Sequence, residues 1–333
     1  MKLLIKLIVV TAVIVCVSFG AFAYFALSLP IIHEEATFVV ARGTPMIMIA
    51  EQLSRAGVIK NPIIFSIAAR LLRYDRKVKA GEYIFDNGLS SLDILKKMVR
   101  GECKLYKITL IEGWNNDQMA EYLANQPFAT EYFKDNFLAA TGDKYFVNSL
   151  KIDNSTAEGY LFPNTYFIQR PQTGEWLVSY LAGEFFKNYT SEFEARAKKR
   201  GMTTNQVVTL ASIIEKEAGN DAERPLISSV FHNRLKENML LQADPTVIYS
   251  MKAFDGNIRK SDLSIKNPYN TYINTGLPPG PIANPGVASL KAALWPAETG
   301  YFYFVAKGDG THQFSKTLAE HNMAVAKYQL NKK

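Results

Sequence analysis

The longest apolar stretch of the chain covers residues 7–29, which contain no Asp, Glu, Lys, Arg or His. As a helix these residues would extend about 34 Å, enough to cross the hydrocarbon core of a bilayer. Because Lys2 and Lys6 precede the stretch, the positive-inside rule keeps residues 1–6 in the cytoplasm and exports the remainder. The pattern therefore predicts a single-pass anchor in the inner (cytoplasmic) membrane and an extracytoplasmic remainder.

A cleaved signal peptide is the alternative interpretation of this N-terminus. Ala21-Phe22-Ala23 resembles a small-residue cleavage site, and the two lysines would form the charged leading region. The apolar stretch nevertheless continues past that site through Leu27, beyond the roughly 7 to 15 apolar residues of a signal peptide. The length therefore favours an uncleaved transmembrane helix.

The next part of the chain alternates between strand-like and helix-like patterns. A β-rich run at residues 38–40 and a second at 79–85 flank two stretches with helical periodicity, and a third such stretch follows. Asn61-Pro62 is a helix-opening pair, Ser90 or Ser91 can cap the last helix, and Gly101 can end it. The predicted order is strand, helix, helix, strand, helix, which is a small α/β module within residues 30–105.

The C-terminal two thirds of the chain predicts a larger domain of mixed α+β type, covering residues 106–333. A strand-like run occupies residues 106–111, and helical patterns occupy 176–186, 190–200 and 204–218. Residues 130–154 have weak periodicity and receive no assignment. We find no internal repeat or long linker in the chain.

Two glutamates lie within the apolar arc of the helix predicted at 204–218. At 100° per residue, Glu215 falls between Val208 and Ala211, and Glu217 falls between Leu210 and Ile213. A carboxyl group held among apolar neighbours has a raised pKa, which suits a general acid. Pairing of either glutamate with an arginine such as Arg224 or Arg234 is the structural alternative. Periodicity marks both residues and does not choose between them.

Composition removes several classes of function. The exported part has one cysteine, Cys103, and its histidines form no metal-binding spacing, so we expect no disulfide, no metal and no cofactor. The formal charge of +7 is compatible with nucleic acid, but an exported, tethered chain meets anionic lipids and wall polymers instead. There is also no GxSxG motif of the kind that acyl hydrolases use.

The glutamates belong to a series of motifs that continues to the C-terminus. The series contains LASIIEKE at 210–217, ER at 223–224, VFHNRL at 230–235, LQADPTVIY at 241–249, YNTY at 269–272, GLPPGPI at 276–282, PG at 285–286 and HQF at 312–314. In this order, and with AGEY at 80–83 before them, the motifs resemble the YceG-like family of endolytic peptidoglycan transglycosylases. The resemblance covers about half of the chain.

The resemblance implies a LysM-like module at residues 30–105 and a YceG-like catalytic domain at 106–333. It implies cleavage of the β-1,4 bond between N-acetylmuramic acid and N-acetylglucosamine in nascent glycan strands, which sets their length. It assigns the catalytic role to the first glutamate of the Glu-Lys-Glu triplet, Glu215, acting as an acid and then as a base to give 1,6-anhydro ends. Peptidoglycan strands and, through them, peptidoglycan synthases are the implied partners, with no role for nucleic acid.

Other matched polar and aromatic residues suit substrate binding. Amides and tyrosines can bond to sugar hydroxyl and N-acetyl groups or stack on sugar faces; the predicted set comprises Gln242, Asn233, Tyr249, Asn270, Tyr272, Asp244 and Glu217. Turn capping and core packing are the alternatives for the asparagines and tyrosines. A hydrolytic muramidase, with Asp244 or Glu217 as the second carboxylate, remains a chemical alternative. A non-catalytic, membrane-tethered glycan-binding or scaffold protein is the other.

Overall fold

The computed structural model describes residues 35–171, 173–251 and 254–330, together with positions 5–6, 8–11, 13–14, 17–18, 20–21 and 27. Within these ranges no helix is both long enough and apolar enough to cross a membrane. Much of the predicted span at 7–29 lies outside the described residues, so that span stays a prediction. The described chain divides into two compact units: unit 1, residues 1–107 with 167–170, and unit 2, residues 108–166 with 171–333.

Unit 1 has the strand, helix, helix, strand, helix order that the sequence predicts. Its elements are β1 (Ala36–Val40), α1 (Met46–Arg55), α2 (Pro62–Leu71), β2 (Gly81–Phe85) and α3 (Ser91–Arg100). β1 and β2 pair antiparallel, with Ala36 opposite Phe85 and Val40 opposite Gly81. Their inner faces and the three helices bury one apolar core, whose largest fully buried side chains include Phe65, Tyr83, Phe85, Ile94 and Met98.

Local capping explains where the helices of unit 1 begin and end. The Asn61 side chain accepts hydrogen bonds from the backbone N–H groups of Ile63 and Ile64, so α2 begins after it. Ser90 and Asp93 form a reciprocal capping box at the start of α3. Gly101, at a φ of 73°, ends the same helix in the left-handed conformation that glycine adopts without strain. The predicted caps at Asn61, Ser90 and Gly101 are thus confirmed.

Unit 2 is mostly helical. The elements in and leading into it are β3 (Tyr106–Thr109), α4 (Asn116–Ala124), α5 (Phe133–Gly142), α6 (Lys144–Ser149), β4 (Thr165–Ile168), α7 (Gly174–Asn188), α8 (Ser191–Lys199), α9 (Thr204–Glu217), α10 (Arg224–Lys236), α11 (Asp244–Ser250), α12 (Val287–Leu294), β5 (Tyr303–Ala306), β6 (His312–Ser315) and α13 (Leu318–Val325). β3 and β4 form one two-stranded sheet, and β5 and β6 form another. The mixed α+β character predicted for this part is confirmed, and residues 130–154, which the sequence left unassigned, contain α5 and α6.

The central element of unit 2 is α9. It packs against α8, α10, α11 and α12, and its residues from Val207 to Ile214 are buried. Thr203 and Gln206 form a capping box that fixes where the helix starts. The opposite end of α9 carries Glu215 and Glu217, so the packing of one buried helix fixes the positions of both carboxyl groups.

Candidate functional site

Glu215 lies in a cluster of charged side chains at the end of α9, which we call the Arg224 cluster and define as Glu112, Glu215, Asp221 and Arg224. Glu215 Oε1 accepts a hydrogen bond from Arg224 Nη1 at 2.9 Å, and Oε2 accepts one from the backbone N–H of Gly286 at 2.9 Å. The side chain is 5% exposed. Both carboxyl oxygens of Glu215 are therefore already engaged within the protein.

Arg224 holds this cluster together. Its Nε donates to Asp221 Oδ1 at 2.9 Å, and its Nη1 also donates to Ser289 Oγ at 2.8 Å. Burial, followed by the negative charge of Glu215, raises the pKa of Glu112. The sequence-based alternative of a glutamate paired with Arg224 is confirmed for Glu215.

Glu217 faces a different environment, a cavity of about 400 Å³ that we call the Glu217 cavity. Gln242, Asp244 and Tyr272 line it as well, so four of the eight predicted site residues meet there. Burial, followed by the negative charge of Asp244, raises the pKa of Glu217 to about 8, against the opposing charge of Arg234. Within the described ranges no group donates a hydrogen bond to the Glu217 carboxyl. The raised pKa favours the protonated form of this carboxyl at neutral pH, and the carboxyl lines the cavity.

The polar residues beside Glu217 are held by their own contacts. The Tyr272 hydroxyl donates to Asp244 Oδ1 at 2.5 Å, and the backbone N–H of Gln242 donates to the carbonyl of Thr271 at 3.1 Å. Gln242 has a φ of 51°, an uncommon value for a residue other than glycine. These bonds link the segment before α11 to the YNTY segment, which places the side chains of both on one wall of the cavity.

Three predicted binding residues lie elsewhere in unit 2. Asn233 Nδ2 donates to the carbonyls of Thr299 and Tyr301 at 3.0 and 2.8 Å. Asn270 is fully buried, and its Nδ2 donates to the carbonyls of Leu263 and Ile265. Their bonds correspond to the structural alternative for the asparagines, namely the fixing of turns.

Tyr249, the third of these residues, belongs to a buried network around Glu158. Glu158 Oε1 accepts from Asn284 Nδ2 at 3.2 Å, while Oε2 accepts from the backbone N–H of Asn116 at 3.2 Å and from the Tyr249 hydroxyl at 3.4 Å. Burial raises the pKa of Glu158 to about 8. Asn284 also accepts from the backbone N–H of Leu161, so the network ties three segments of unit 2 together.

Several residues of the Glu217 cavity were missed by the sequence-based prediction of the site. Arg234, Tyr303, His312 and His321 line it, and Arg234 lies over the Tyr303 ring at 5.1 Å. His312 Nδ1 lies 2.8 Å from Glu223 Oε2. Arg234 and His312 lie in the motifs at 230–235 and 312–314, so part of the signal existed. The residues that these four contact are distant in sequence.

Comparison with known proteins identifies the family of the chain. A model of the YceG-like family matches residues 38–327. The chain is 36% identical over 329 residues to the endolytic murein transglycosylase of Bacillus subtilis (strain 168), covering 93% of this chain and 90% of that protein. It is 30% identical over 321 residues to the endolytic murein transglycosylase of Streptococcus pneumoniae serotype 2 (strain D39), covering 88% of this chain and 58% of that protein.

A solved structure gives the same result for the fold. The crystal structure of a yceG-like protein from Listeria monocytogenes matches with a TM-score of 0.60 at 33% identity. The match covers 87% of this chain and 98% of that chain. With the family model matching most of the sequence, the chain belongs to the YceG-like family.

Proposed function

We propose that this protein is an endolytic peptidoglycan transglycosylase, a lyase that cleaves the β-1,4 bond between N-acetylmuramic acid and N-acetylglucosamine within nascent glycan strands. The observation that carries the proposal is the Glu217 carboxyl, which lines a polar cavity and has a pKa raised to about 8 by burial. The names of the Bacillus and Streptococcus relatives supply the substrate class. Cleavage within growing strands would set their length.

We assign the role of acid and base to Glu217 in preference to Glu215. A general acid needs a proton at working pH and access to the substrate oxygen. Glu217 has a raised pKa and lines the cavity, whereas Glu215 has both oxygens engaged by Arg224 and Gly286 and a side chain that is 5% exposed. The residue implied by the resemblance, Glu215, stays the competing prediction and is tested beside Glu217 below.

The proposed reaction needs only one carboxyl group. Glu217 gives its proton to the bridging oxygen as the bond from C1 of the muramic sugar breaks, and positive charge develops at C1. The resulting carboxylate then takes the proton from O6 of the same sugar while O6 attacks C1, which closes the 1,6-anhydro ring and restores the acid. The raised pKa of the Glu217 carboxyl suits both steps, since a group that titrates near the working pH serves as acid and as base.

The neighbouring polar groups would hold the sugar in place for this reaction. Gln242 offers both an amide donor and an amide acceptor, and Tyr272 and Asp244 form a bonded pair on the same wall. Arg234 partly offsets the negative charge that Glu217 acquires after the first step. Fixing the O6 group near C1 replaces the attack by water, because an intramolecular nucleophile reacts at a high effective concentration.

Hydrolysis is the second candidate reaction, and one observation favours it. Asp244 lines the same cavity as Glu217, and two carboxyl groups are what a hydrolytic muramidase requires. The two reactions differ in their products: hydrolysis leaves a reducing N-acetylmuramic acid end, and the transglycosylase leaves a 1,6-anhydro end. A glycan-binding or scaffold protein without catalysis would leave neither.

We also propose that the enzyme works outside the cytoplasm while tethered to the cytoplasmic membrane. The proposal rests on the uncharged apolar stretch at residues 7–29 and on the location of peptidoglycan itself. Such a tether would keep the active site close to newly made strands and to the synthases that make them. Binding of glycan by unit 1, as a LysM-like module, is part of the same proposal.

The deciding experiment is mass spectrometry of the fragments that the full-length protein releases from uncrosslinked glycan strands. We expect anhydro-ended fragments from the wild type and from Asp244→Asn, at a lower rate in the variant, and none from Glu217→Gln. Reducing ends that disappear in Asp244→Asn would establish the hydrolase instead. Absence of any cleavage by a folded wild-type protein would favour the binding protein.

A further inference from the structure

One face of unit 1 exposes apolar side chains that the fold leaves uncovered. Ile63, Ile67 and Leu71 recur every four residues, so they lie on one side of α2. They are 63%, 43% and 79% exposed, and Leu72, which ends the helix, is 46% exposed. We call these four residues, with Arg70, Arg73 and Arg76, the α2 face. Contiguous exposed apolar side chains of this kind are typical of a surface that meets another apolar phase.

Two hollows extend the α2 face on either side. One, of about 570 Å³, is lined by Met46 and Ile47 at the start of α1 and by the C-terminal half of α2. The other, of about 290 Å³, includes Leu92 and Lys96. Both hollows share Ile67 and Leu71. Leu27, near the end of the N-terminal apolar stretch, lines the second hollow. The apolar surface is thus continuous with the part of the chain that is predicted to enter the membrane.

The same face also carries arginine side chains. Arg70, Arg73 and Arg76 form no ion pair with any residue in the described part of the chain, and Asp75 is the acidic residue that lines the neighbouring hollow. Arg73 has a φ of 56°, a left-handed conformation that carries an energetic cost for a residue with a Cβ. Glycine or asparagine would relieve that cost, yet an arginine occupies the position.

The charge of the whole chain is concentrated in this unit. Residues 36–107 contain 13 Lys and Arg against six Asp and Glu, a formal charge of +7, which equals the charge of the entire protein. The remaining residues sum to zero. If the net positive charge served only solubility, it would not need to lie in one unit. The charge complements an anionic surface that meets unit 1 alone.

From these observations we infer that the α2 face docks on the surface of an anionic lipid bilayer. Ile63, Ile67 and Leu71 would enter the boundary between headgroups and acyl chains, as the apolar side of an interfacial helix does. The arginines would lie at the level of the lipid phosphates, where the negative surface potential attracts basic residues. A polysaccharide offers no acyl chains to cover Leu71, which is why we assign the face to lipid.

Nitroxide labels on the full-length chain test the inference. The chain is reconstituted in phosphatidylcholine vesicles with or without phosphatidylglycerol, with Cys16 and Cys103 changed to serine. A label is placed at Leu71→Cys or, as a control, at Asn87→Cys in an exposed polar turn of the same unit. Collision with oxygen reports the acyl region, and collision with a water-soluble nickel complex reports water. We expect a severalfold higher oxygen-to-nickel ratio at position 71 than at 87 in phosphatidylglycerol vesicles, and a smaller difference without that lipid.

A charge reversal separates the lipid contact from general burial. The test variant changes three arginines of the α2 face together, Arg70→Glu/Arg73→Glu/Arg76→Glu, and should lower the ratio at position 71 to the value at 87. The control variant makes the same change in net charge at exposed sites of unit 2, Lys198→Glu/Lys199→Glu/Lys316→Glu, and should leave the ratio unchanged. Equal ratios at 71 and 87 in phosphatidylglycerol vesicles would overturn the inference. So would a ratio that neither the lipid nor the arginine reversal alters.

Other occupants of the α2 face give different signals. A second copy of the chain would shield position 71 from both reagents and would broaden the spectrum until unlabelled chain is added. A glycan would shield it from both reagents only after glycan strands are supplied. Either result would replace the bilayer as the partner of this face.

Discussion

Two regions of unit 2 meet at the last turn of α9, the Arg224 cluster and the Glu217 cavity. Each holds one glutamate, and because residues two apart on a helix point in different directions, the two carboxyl groups do not share surroundings. Glu215 is fixed by Arg224 and by the Gly286 backbone, whereas Glu217 is desolvated without a hydrogen-bond donor among the described residues. The comparison teaches that burial alone does not make a catalytic acid, since the result depends on what a buried carboxyl meets.

The largest expected effect is the difference in cleavage rate between variants of the two glutamates. Glu217→Gln should lower the rate of strand cleavage by about 10³-fold, within the 10²- to 10⁴-fold range of general acid–base catalysis, because glutamine has no proton to give. Glu215→Gln keeps an oxygen for the Gly286 N–H and should retain more of the rate. The measurement is release of soluble glycan fragments over time, with circular dichroism to confirm that both variants fold. Loss of activity in Glu215→Gln alone would reverse the assignment.

The second prediction concerns stability, where we expect substitution of Glu215 to have a larger effect than substitution of Glu217. Removing one partner of a buried ion pair costs about 3 kcal/mol or more when the other charge is left unpaired. Arg224 would keep its bonds to Asp221 and Ser289, so we expect a smaller cost of about 2 kcal/mol here. Glu215→Leu should therefore lower the free energy of unfolding by about that amount, and Arg224→Met/Glu215→Leu should recover part of it. Urea unfolding measures both. Lys134→Met, which breaks the exposed pair with Glu121, is the matched control and should leave stability nearly unchanged.

An unchanged free energy of unfolding in Glu215→Leu would show that the Arg224 cluster does not stabilise the fold. The same experiment on Glu217→Gln sharpens the comparison. That substitution replaces a protonated acid by an amide of similar size, so we expect no loss of stability at neutral pH.

The sequence predicted unit 1 well because its signals are local. Asn61, Ser90 and Gly101 act on backbone groups within four residues, and the apolar pattern of α2 and α3 needs no distant partner. The two glutamates of α9 were also found by periodicity. In both cases the information lies within one or two helical turns.

Choosing between the glutamates required contacts that the sequence does not display. Arg224 reaches Glu215 across nine residues, but Gly286 reaches it across 71, and Asn284 reaches Glu158 across 126. Helical periodicity placed Glu215 and Glu217 equally inside the apolar arc, so it could not show that one is paired and the other is not. Residues 130–154 received no assignment from the sequence for a different reason. The helix α5 is only weakly amphipathic, because polar and apolar residues mix around it.

The third prediction uses pH to test the Glu217 cavity. A carboxylic acid loses its proton as the pH rises through its pKa, so an acid with a pKa of about 8 should lose activity on the alkaline side. Between pH 7 and pH 9 the protonated fraction, and with it the cleavage rate at low substrate, should fall about tenfold. Asp244→Asn removes a negative charge that raises this pKa and should move the alkaline limb to lower pH.

Glu158 provides the control for that profile, because its pKa is also raised to about 8. Glu158→Gln mimics the protonated form and keeps a hydrogen-bonding side chain, so the alkaline limb should persist in this variant. Disappearance of the limb in Glu158→Gln would mean that the buried network, and not the Glu217 cavity, controls the reaction.

The smallest expected effect tests the wall of the cavity. Tyr272→Phe removes the hydroxyl that bonds to Asp244 Oδ1 and keeps the ring. A hydrogen bond to a charged group contributes about 1.5–3 kcal/mol, but water can replace the lost donor at this open wall, so we expect a three- to tenfold rise in KM with little change in kcat. Tyr145→Phe, at a tyrosine that is 89% exposed, is the control and should change neither constant. A fall in kcat at unchanged KM would instead place the Tyr272 hydroxyl in the proton-transfer step beside Glu217, because only groups that act in the transition state change kcat alone.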